Sequence, residues 1–259
     1  MSQLHGAANE LLNEHGIQVC SLDEKSGMQA LERAAADLTL SSGQIRKREC
    51  NYIRHGTQTL IGGLNVGDGQ LFAHVGESRT EEDFVAFMKD LISREPESRK
   101  FVFVLDQLNT HKSESLVRLM ANLNDDNQDL GIKGKSGILK NMPSRMAYLE
   151  MGTDLAIKEQ VVRLRFVFTP KHCSWLNPVE GWFSGLQKRV LRFGSFISTE
   201  QLADRVIAYA NYYNEKLAKG INWTKSTKAE INKIIAQAHA QRAGAFARMI
   251  RGFFSRSAT

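Results

Sequence analysis

FVFTPKHCSWLNPVEGWFSGLQKRV, residues Phe166–Val190, decides how the chain folds. Its apolar run Phe166-Val167-Phe168 stops at Thr169-Pro170. That reads as a buried strand closing in a turn, because proline cannot donate to a sheet ladder. After a loop, Asn177-Pro178 has the chemistry of a helix start. The asparagine can cap free N–H groups, and the proline stands at the first helical position, where its missing N–H costs nothing. Glu180 then falls at the third helical position. Val179, Trp182, Phe183, Leu186 and Val190 recur at three- and four-residue steps, an apolar stripe that must pack on something. Lys188, Arg189 and Arg192 fall largely off it. Taken alone, Glu180 is what a capping box or the helix dipole favours, so a chemical role for it depends on partners elsewhere.

Two such partners stand upstream. Phe101–Leu105, FVFVL, is the most hydrophobic short run in the chain, and its lack of alternation indicates a strand covered on both faces. It delivers Asp106. Ile17–Leu22, IQVCSL, reads as a mostly buried strand that delivers Asp23. Groups at strand ends along one edge of an open sheet converge on a shared crevice. Three carboxylates meeting there without a cationic partner repel and raise one another's pKa, unless divalent metal sits between them. Oxygen-only ligands favour Mg²⁺ or Mn²⁺. Two such ions held about 4 Å apart are the usual device for in-line attack on a phosphodiester.

The remaining segments supply the frame. Residues 1–16 read as a short helix or frayed lead-in ended by Gly16. Lys25–Asn51 is polar and mixed, with a basic cluster at Arg46-Lys47-Arg48. Arg54-His55-Gly56 precedes two β-rich runs, Thr57–Val66 and Gln70–Gly76, joined as a hairpin by Gly67-Asp68-Gly69. Thr80 caps a helix carrying Phe84, Phe87, Met88 and Leu91. Ser113 caps another carrying Leu116, Val117, Leu119, Met120 and Leu123. Residues 124–163 read as an insertion of loop with one helix around Ser144–Lys158. Gly134-Lys135-Ser136 within it is no phosphate-binding loop, since Asp129 stands where that pattern needs glycine. Ser198–Glu215 forms an amphipathic helix with Leu202, Val206, Ile207, Ala210 and Tyr213 inward, and Trp223 closes the core. From Thr227 the tail is helix-prone and basic.

Composition sets outer limits. At 259 residues with 42% apolar content, the chain can bury a full core. The three cysteines, Cys20, Cys50 and Cys173, lack CxxC spacing, which argues against a disulfide frame or structural zinc site. There is no signal-peptide pattern, and no stretch approaches the roughly 20 apolar residues of a membrane span. A reducing cytoplasm is the expected setting. Residues 181–259 hold 13 Lys and Arg against 4 Asp and Glu. Such a bias fits a polyanionic partner or a solvated helical surface.

The segments SLDEKSGMQALERA, YIRHGTQTL, FVLDQLNTHKS and FTPKHCSWLNPVEGWFSGLQKRVLRFGSF together resemble the catalytic domain of bacterial insertion-sequence transposases, in the superfamily shared with the mariner elements. The resemblance runs from about Val19 to Trp223, with one carboxylate in each of three motifs. It implies an α/β, ribonuclease H-like mixed sheet flanked by helices, with an insertion between the last two acids and a helical C-terminal extension. The corresponding organisation is a lead-in at 1–16, a catalytic domain at 17–223 with its insertion at 124–163, and a basic tail at 224–259. The resemblance further implies a metal-dependent transposase and endonuclease with catalytic, metal-binding Asp23, Asp106 and Glu180 and two Mg²⁺ or Mn²⁺ ions. Cut-and-paste transposition with insertion at TA follows from it, as do double-stranded DNA ends as partner and a homodimer when active.

Other residues receive paired readings. Lys171 and His172 touch the scissile phosphate or flanking DNA, or are structural. Asn109 and His111 orient the Asp106 loop, or belong to a hydrogen-bonded turn. Lys188, Arg189 and Arg192 suit a DNA backbone, and Arg54 and His55 are further candidates. Trp175 stacks on a splayed base or anchors its loop. Only 22 residues precede Asp23, too few for the helix-turn-helix region usual in such transposases. The expectation is a truncated relic or one product of a split coding region, the latter with a separate helix-turn-helix polypeptide as partner. Gln107 stands where asparagine is common. The rival readings are a catalytically silent DNA-binding remnant that modulates a full-length transposase, and a nuclease for RNA–DNA hybrids.

Overall fold

The computed structural model describes residues 2–33, 51–151, 162–171 and 173–221. Its centre is β4 (Lys100–Leu105), whose residues Phe101 to Leu105 are all fully buried, as an unbroken apolar run requires. β4 pairs in parallel with β1 (Ile17–Arg33) on one side and β5 (Leu164–Phe168) on the other. β1 in turn pairs antiparallel with β2 (Tyr52–Asn65), which forms the expected hairpin with β3 (Leu71–Gly76). The sheet order is β3-β2-β1-β4-β5. With helices packed on both faces, this is the ribonuclease H-like mixed sheet anticipated from the sequence.

On one face, Phe84, Met88 and Leu91 of α3 (Glu81–Ser93) and Leu116, Val117 and Met120 of α4 (Glu114–Leu123) meet Cys20, Leu22, Phe101, Phe103 and Phe166. Both helices start as their sequences dictate. Thr80 and Asp83 make a reciprocal capping box, and the Ser113 hydroxyl accepts from the Leu116 N–H at 3.2 Å. Leu139, Tyr148 and Leu149 complete this layer. The helix anticipated around Ser144–Lys158 begins earlier, as α5 (Met142–Leu149), because the Asn141 side chain accepts from the Ser144 N–H and Pro143 fits the first turn. Residues 152–161 lie outside the described residues.

The opposite face carries α6 (Val179–Leu186) and α7 (Thr199–Lys216), whose Trp182, Phe183, Leu186, Leu202, Val206 and Ala210 pack on Leu60, Leu64 and Leu71. The start of the chain is not frayed. α1 (Ser2–Gly6) and α2 (Ala8–His15) bury Leu4, Ala8 and Leu11 against Ile17, Val19, Val102 and Val104, and Gly16 ends α2 in the left-handed conformation. The basic cluster at 46–48, Trp223 and the tail from 224 lie outside the described residues.

Two strand boundaries depart from the sequence reading. β1 does not stop at Leu22 but continues to Arg33, and β2 begins at Tyr52, so that Arg54-His55-Gly56 lies inside β2 rather than ahead of the hairpin. The cause is tertiary. The mostly polar stretch after Asp23 turns only Met28 and Ala30 into the core, and it pairs with β2 from Asp23↔Gly62 to Arg33↔Tyr52, with irregularities between Lys25 and Met28 and between Ala30 and Leu31. Its ladder with β4 ends at Ser21↔Val104. Asp23 therefore marks the end of one ladder, not of the strand.

Candidate active site

The site forms where β1 outruns β4. Successive strand residues face opposite sides of a sheet. Asp23 extends the face of Val19 and Ser21, and Glu24 extends that of Cys20 and Leu22. Asp106 follows β4 directly, and Glu180 stands one residue into α6. Three motifs far apart in sequence thus bring their acids to one edge. Asp23 is only 7% exposed, and burial pushes its carboxyl up to about 7, with the charges of Asp106 and Glu180 adding to the rise. The Glu24 N–H, donating to Oδ1 at 2.8 Å, opposes that shift without cancelling it.

Asp106 behaves in the opposite sense. Burial, the largest single influence, raises its pKa, but the hydrogen bonds from His111 and the Leu108 N–H and the charges of His111 and Lys112 together outweigh it and hold the carboxyl below its ordinary value. His111 Nδ1 lies 2.7 Å from Asp106 Oδ1, which also accepts the Leu108 N–H at 2.8 Å. Burial lowers the His111 pKa, yet the hydrogen bond to Asp106 and the facing Asp106 and Glu24 carboxylates overcome it and lift the ring to about 9. The sequence reading assumed acids with no cationic partner. One of them has His111.

Helix α6 is aimed by an unexpected set of bonds. Asn177 does not cap it. Pro178 occupies the cap position, and the Ser21 hydroxyl of β1 accepts the Val179 N–H at 2.9 Å. The Asn177 amide is used elsewhere, donating to Leu22 O at 2.9 Å and Asp23 Oδ2 at 3.2 Å, while its oxygen meets Ser21 Oγ. Asn177 is 1% exposed, so each of these bonds replaces water that cannot reach it. The loop ahead of it is braced by His5, whose Nε2 meets Leu176 O at 3.0 Å. Burial drives the His5 pKa down to about 4. Opposite Asp23, Gly62 lets α6 approach: a Cβ there would stand 2.8 Å from the Phe183 ring.

Among the described residues, the group of three metal-type ligand atoms all within 4.8 Å of one another is Glu10, Glu14 and His15 on the exposed side of α2. The edge acids converge without closing to that spacing.

The family model for DDE superfamily endonucleases matches residues 18–203. The chain belongs to this family. No curated protein sequence matches it. Solved structures similar to this DDE-family chain include the Mos1 mariner paired-end complex with Mn, at 12% identity and a TM-score of 0.47 over 86% of this chain and 57% of that one. The Mos1 strand transfer complex matches at 11% identity and 0.44, over 83% and 56%. A simian T-cell lymphotropic virus intasome with the PP2A regulatory subunit B56 gamma gives 8% and 0.40, over 81% and 55%. The chain spans a little over half the length of each.

The other candidate residues of this DDE chain are spread over four places. Exposed Lys171 lines a cavity of about 380 Å³ beside Asp106, with Gln107, Thr169 and Cys173. Trp175 is 42% exposed on the short 3₁₀ turn Ser174–Leu176, and Leu176, not Trp175, anchors that turn in the core. His172 lies outside the described residues. Lys188, Arg189 and Arg192 are exposed beyond α6, while Val190 packs against the same core cluster as Val179, Trp182 and Leu186, as its stripe suggested. A π-turn spans Gln187–Leu191, with Arg192 N–H donating to Gln187 O at 2.8 Å. Arg54 and His55 sit on β2 opposite Leu31 and its neighbours, eight residues from Gly62, or about 25 Å along the strand from Asp23. His55 pairs there with Glu32 at 2.7 Å.

Ser21, Glu24, Asn177 in its bridging role, and Gly62 escaped the sequence reading. The signal available for Glu24 was its place directly after Asp23, which alternation sends to the other face.

Proposed function

We propose that the chain is the catalytic domain of a DDE transposase, which hydrolyses DNA phosphodiesters and transfers strands with two divalent cations held by Asp23, Asp106 and Glu180. The observation that carries this reading is that the charges of Asp106 and Glu180 both act on the buried Asp23 carboxyl, so that three acids meet at one sheet edge. An all-oxygen donor set of that charge fits Mg²⁺ or Mn²⁺. Acids spread wider than one small ion demands suit a pair of ions about 4 Å apart. When bound, such ions activate the attacking hydroxyl and stabilise the leaving oxygen.

The protein's own part is positional. Asn177 and the Glu24 N–H hold Asp23, His111 and the Leu108 N–H hold Asp106, and Ser21 fixes the end of α6 that bears Glu180. Lys171 stands at the Asp106 cavity to meet a phosphate, and Trp175 offers an aromatic face to an unstacked base. Lys188, Arg189 and Arg192 supply backbone contacts that carry affinity without reading sequence. Double-stranded element ends and a TA target are the substrates of this reading, with two copies acting together.

Incubation with a terminal-repeat duplex and Mn²⁺ tests it. Nicked product should form with the wild-type chain and vanish in Asp106→Asn. Cleavage retained by that variant would refute the reading, and salt-sensitive DNA binding without cleavage would mark a silent remnant.

A further inference from the structure

Asp106 needs one carboxylate oxygen turned toward the acids of the site, and nothing in β4 itself fixes which. Its Oδ1 takes two donors, His111 Nδ1 at 2.7 Å and the Leu108 N–H at 2.8 Å, and among the described residues Oδ2 takes none. His111 is itself held on every side. Its ring packs on Phe84 at 4.5 Å between centroids, and its Nε2 lies 3.2 Å from Glu24 Oε2. The two side chains are 0% and 1% exposed. The other Glu24 oxygen lies 3.4 Å from Thr110 Oγ1, on the 3₁₀ turn (Thr110–Lys112) that carries His111. A glutamate sealed from water needs polar neighbours, and the His111 ring and the Thr110 hydroxyl are the ones it faces.

We propose that Glu24 is a positioning residue for the metal site, acting through His111 to lock the Asp106 carboxylate with Oδ2 directed at the cations. The inference rests on the transposase reading above and extends it to a residue on the far face of the sheet. β1 then controls two of the three acids. It carries Asp23 on one face and, through the next residue and His111, sets the rotamer of Asp106 on the neighbouring strand. Outer partners of this kind tune a site because they fix the direction of a ligand's lone pairs before the ion arrives.

The test is a double-mutant cycle on the full chain with Glu24→Gln, His111→Gln and the pair of substitutions together. It reads Mn²⁺ affinity by electron paramagnetic resonance, kcat and KM on a duplex substrate, and the metal-free melting temperature. Each single variant should weaken Mn²⁺ binding about 10-fold and lower kcat about 10- to 100-fold, with KM for DNA unchanged. The double variant should be no worse than His111→Gln, because Glu24 acts only through that ring. Glu24→Gln binding Mn²⁺ like the wild type while melting lower would overturn the proposal, as would losses that multiply in the double variant. A crystal structure of the wild-type chain with Mn²⁺ decides without any variant: Oδ2 on the ion and Oδ1 on His111 supports it, and the reverse overturns it. Failure of the transposase reading looks different, since the wild type would then take up no Mn²⁺, and the inference would fall with it.

Discussion

Asp23 and Asp106 are the same residue type at adjacent strands of one sheet edge, yet the fold treats their charges in opposite ways. Asp106 is given a buried histidine and a backbone N–H, and its carboxyl is held low. Asp23 is given a neutral amide and one N–H, and burial beside two other acids raises it to about 7. One acid is balanced by the protein, and the other is left to be balanced from outside. An electrostatic imbalance of this kind is a structural cost that a bound cation removes, and such costs concentrate where function resides.

The largest expected effect treats the two acids alike. Asp23→Asn and Asp106→Asn should each reduce DNA cleavage by about 10⁴-fold or more, as when one member of a group that acts as a unit is removed. Activity surviving in either variant would break the equivalence. Stability should separate them. In metal-free protein, Asp106→Asn weakens the partner of a buried charged ring and should cost about 1–3 kcal/mol in urea unfolding. Asp23→Asn removes a repelled carboxylate and should cost nothing, or stabilise. Equal losses would show that the two environments do not differ as described.

The pH dependence sharpens the same contrast. With a folded pKa near 7 against 3.8 in the unfolded chain, the native state binds the extra proton between those values. The Asp23 contribution to metal-free stability therefore falls as pH rises from about 4 to 7. His5 has the other sign: its pKa near 4, below the ordinary 6.5, means stability is lost as pH falls through that window. Comparing wild type with Asp23→Asn cancels the His5 contribution. The variant should gain relative stability steadily from pH 4 to 7, and added Mg²⁺ should restore the wild type. A flat difference would contradict the Asp23 environment. A smaller effect is expected from Ser21→Ala, which removes the acceptor for the Val179 N–H. It should cost about 1 kcal/mol and lower activity with little change at Asp106. Smallest of all, replacing Lys188, Arg189 and Arg192 by alanine should weaken DNA binding and flatten its salt dependence by roughly 0.9 in slope per lost phosphate contact, without affecting metal uptake.

The contrast also explains what could be read from sequence and what could not. The β4 run, the β2–β3 hairpin, the caps at Thr80 and Ser113 and the α7 stripe depend on neighbours within a few residues, so their patterns are local and legible. Asp106 after β4 and Glu180 at the start of α6 were legible for the same reason. The second half of β1 was not, because Lys25–Arg33 becomes a strand only through its partner β2. Asn177 was misread for the converse reason. Its local chemistry does suit a cap, but Leu22 and Asp23 offer it buried partners, and Ser21 takes over the capping role. The widening of the helix to a π-turn at Gln187–Leu191 was not legible, although the stripe it carries to Val190 was. The difference between Asp23 and Asp106 was half legible: His111 could be read as orienting the Asp106 loop, but not that its ring bonds the Asp106 carboxylate itself.

Calorimetric titration of Mn²⁺ into the wild-type chain and Asp23→Asn at pH 7.5 tests the central claim most directly. The three-acid site predicts uptake of two ions by the wild type, with proton release from Asp23, and loss of at least one ion in the variant. Identical uptake by both proteins, or none by the wild type, would contradict it.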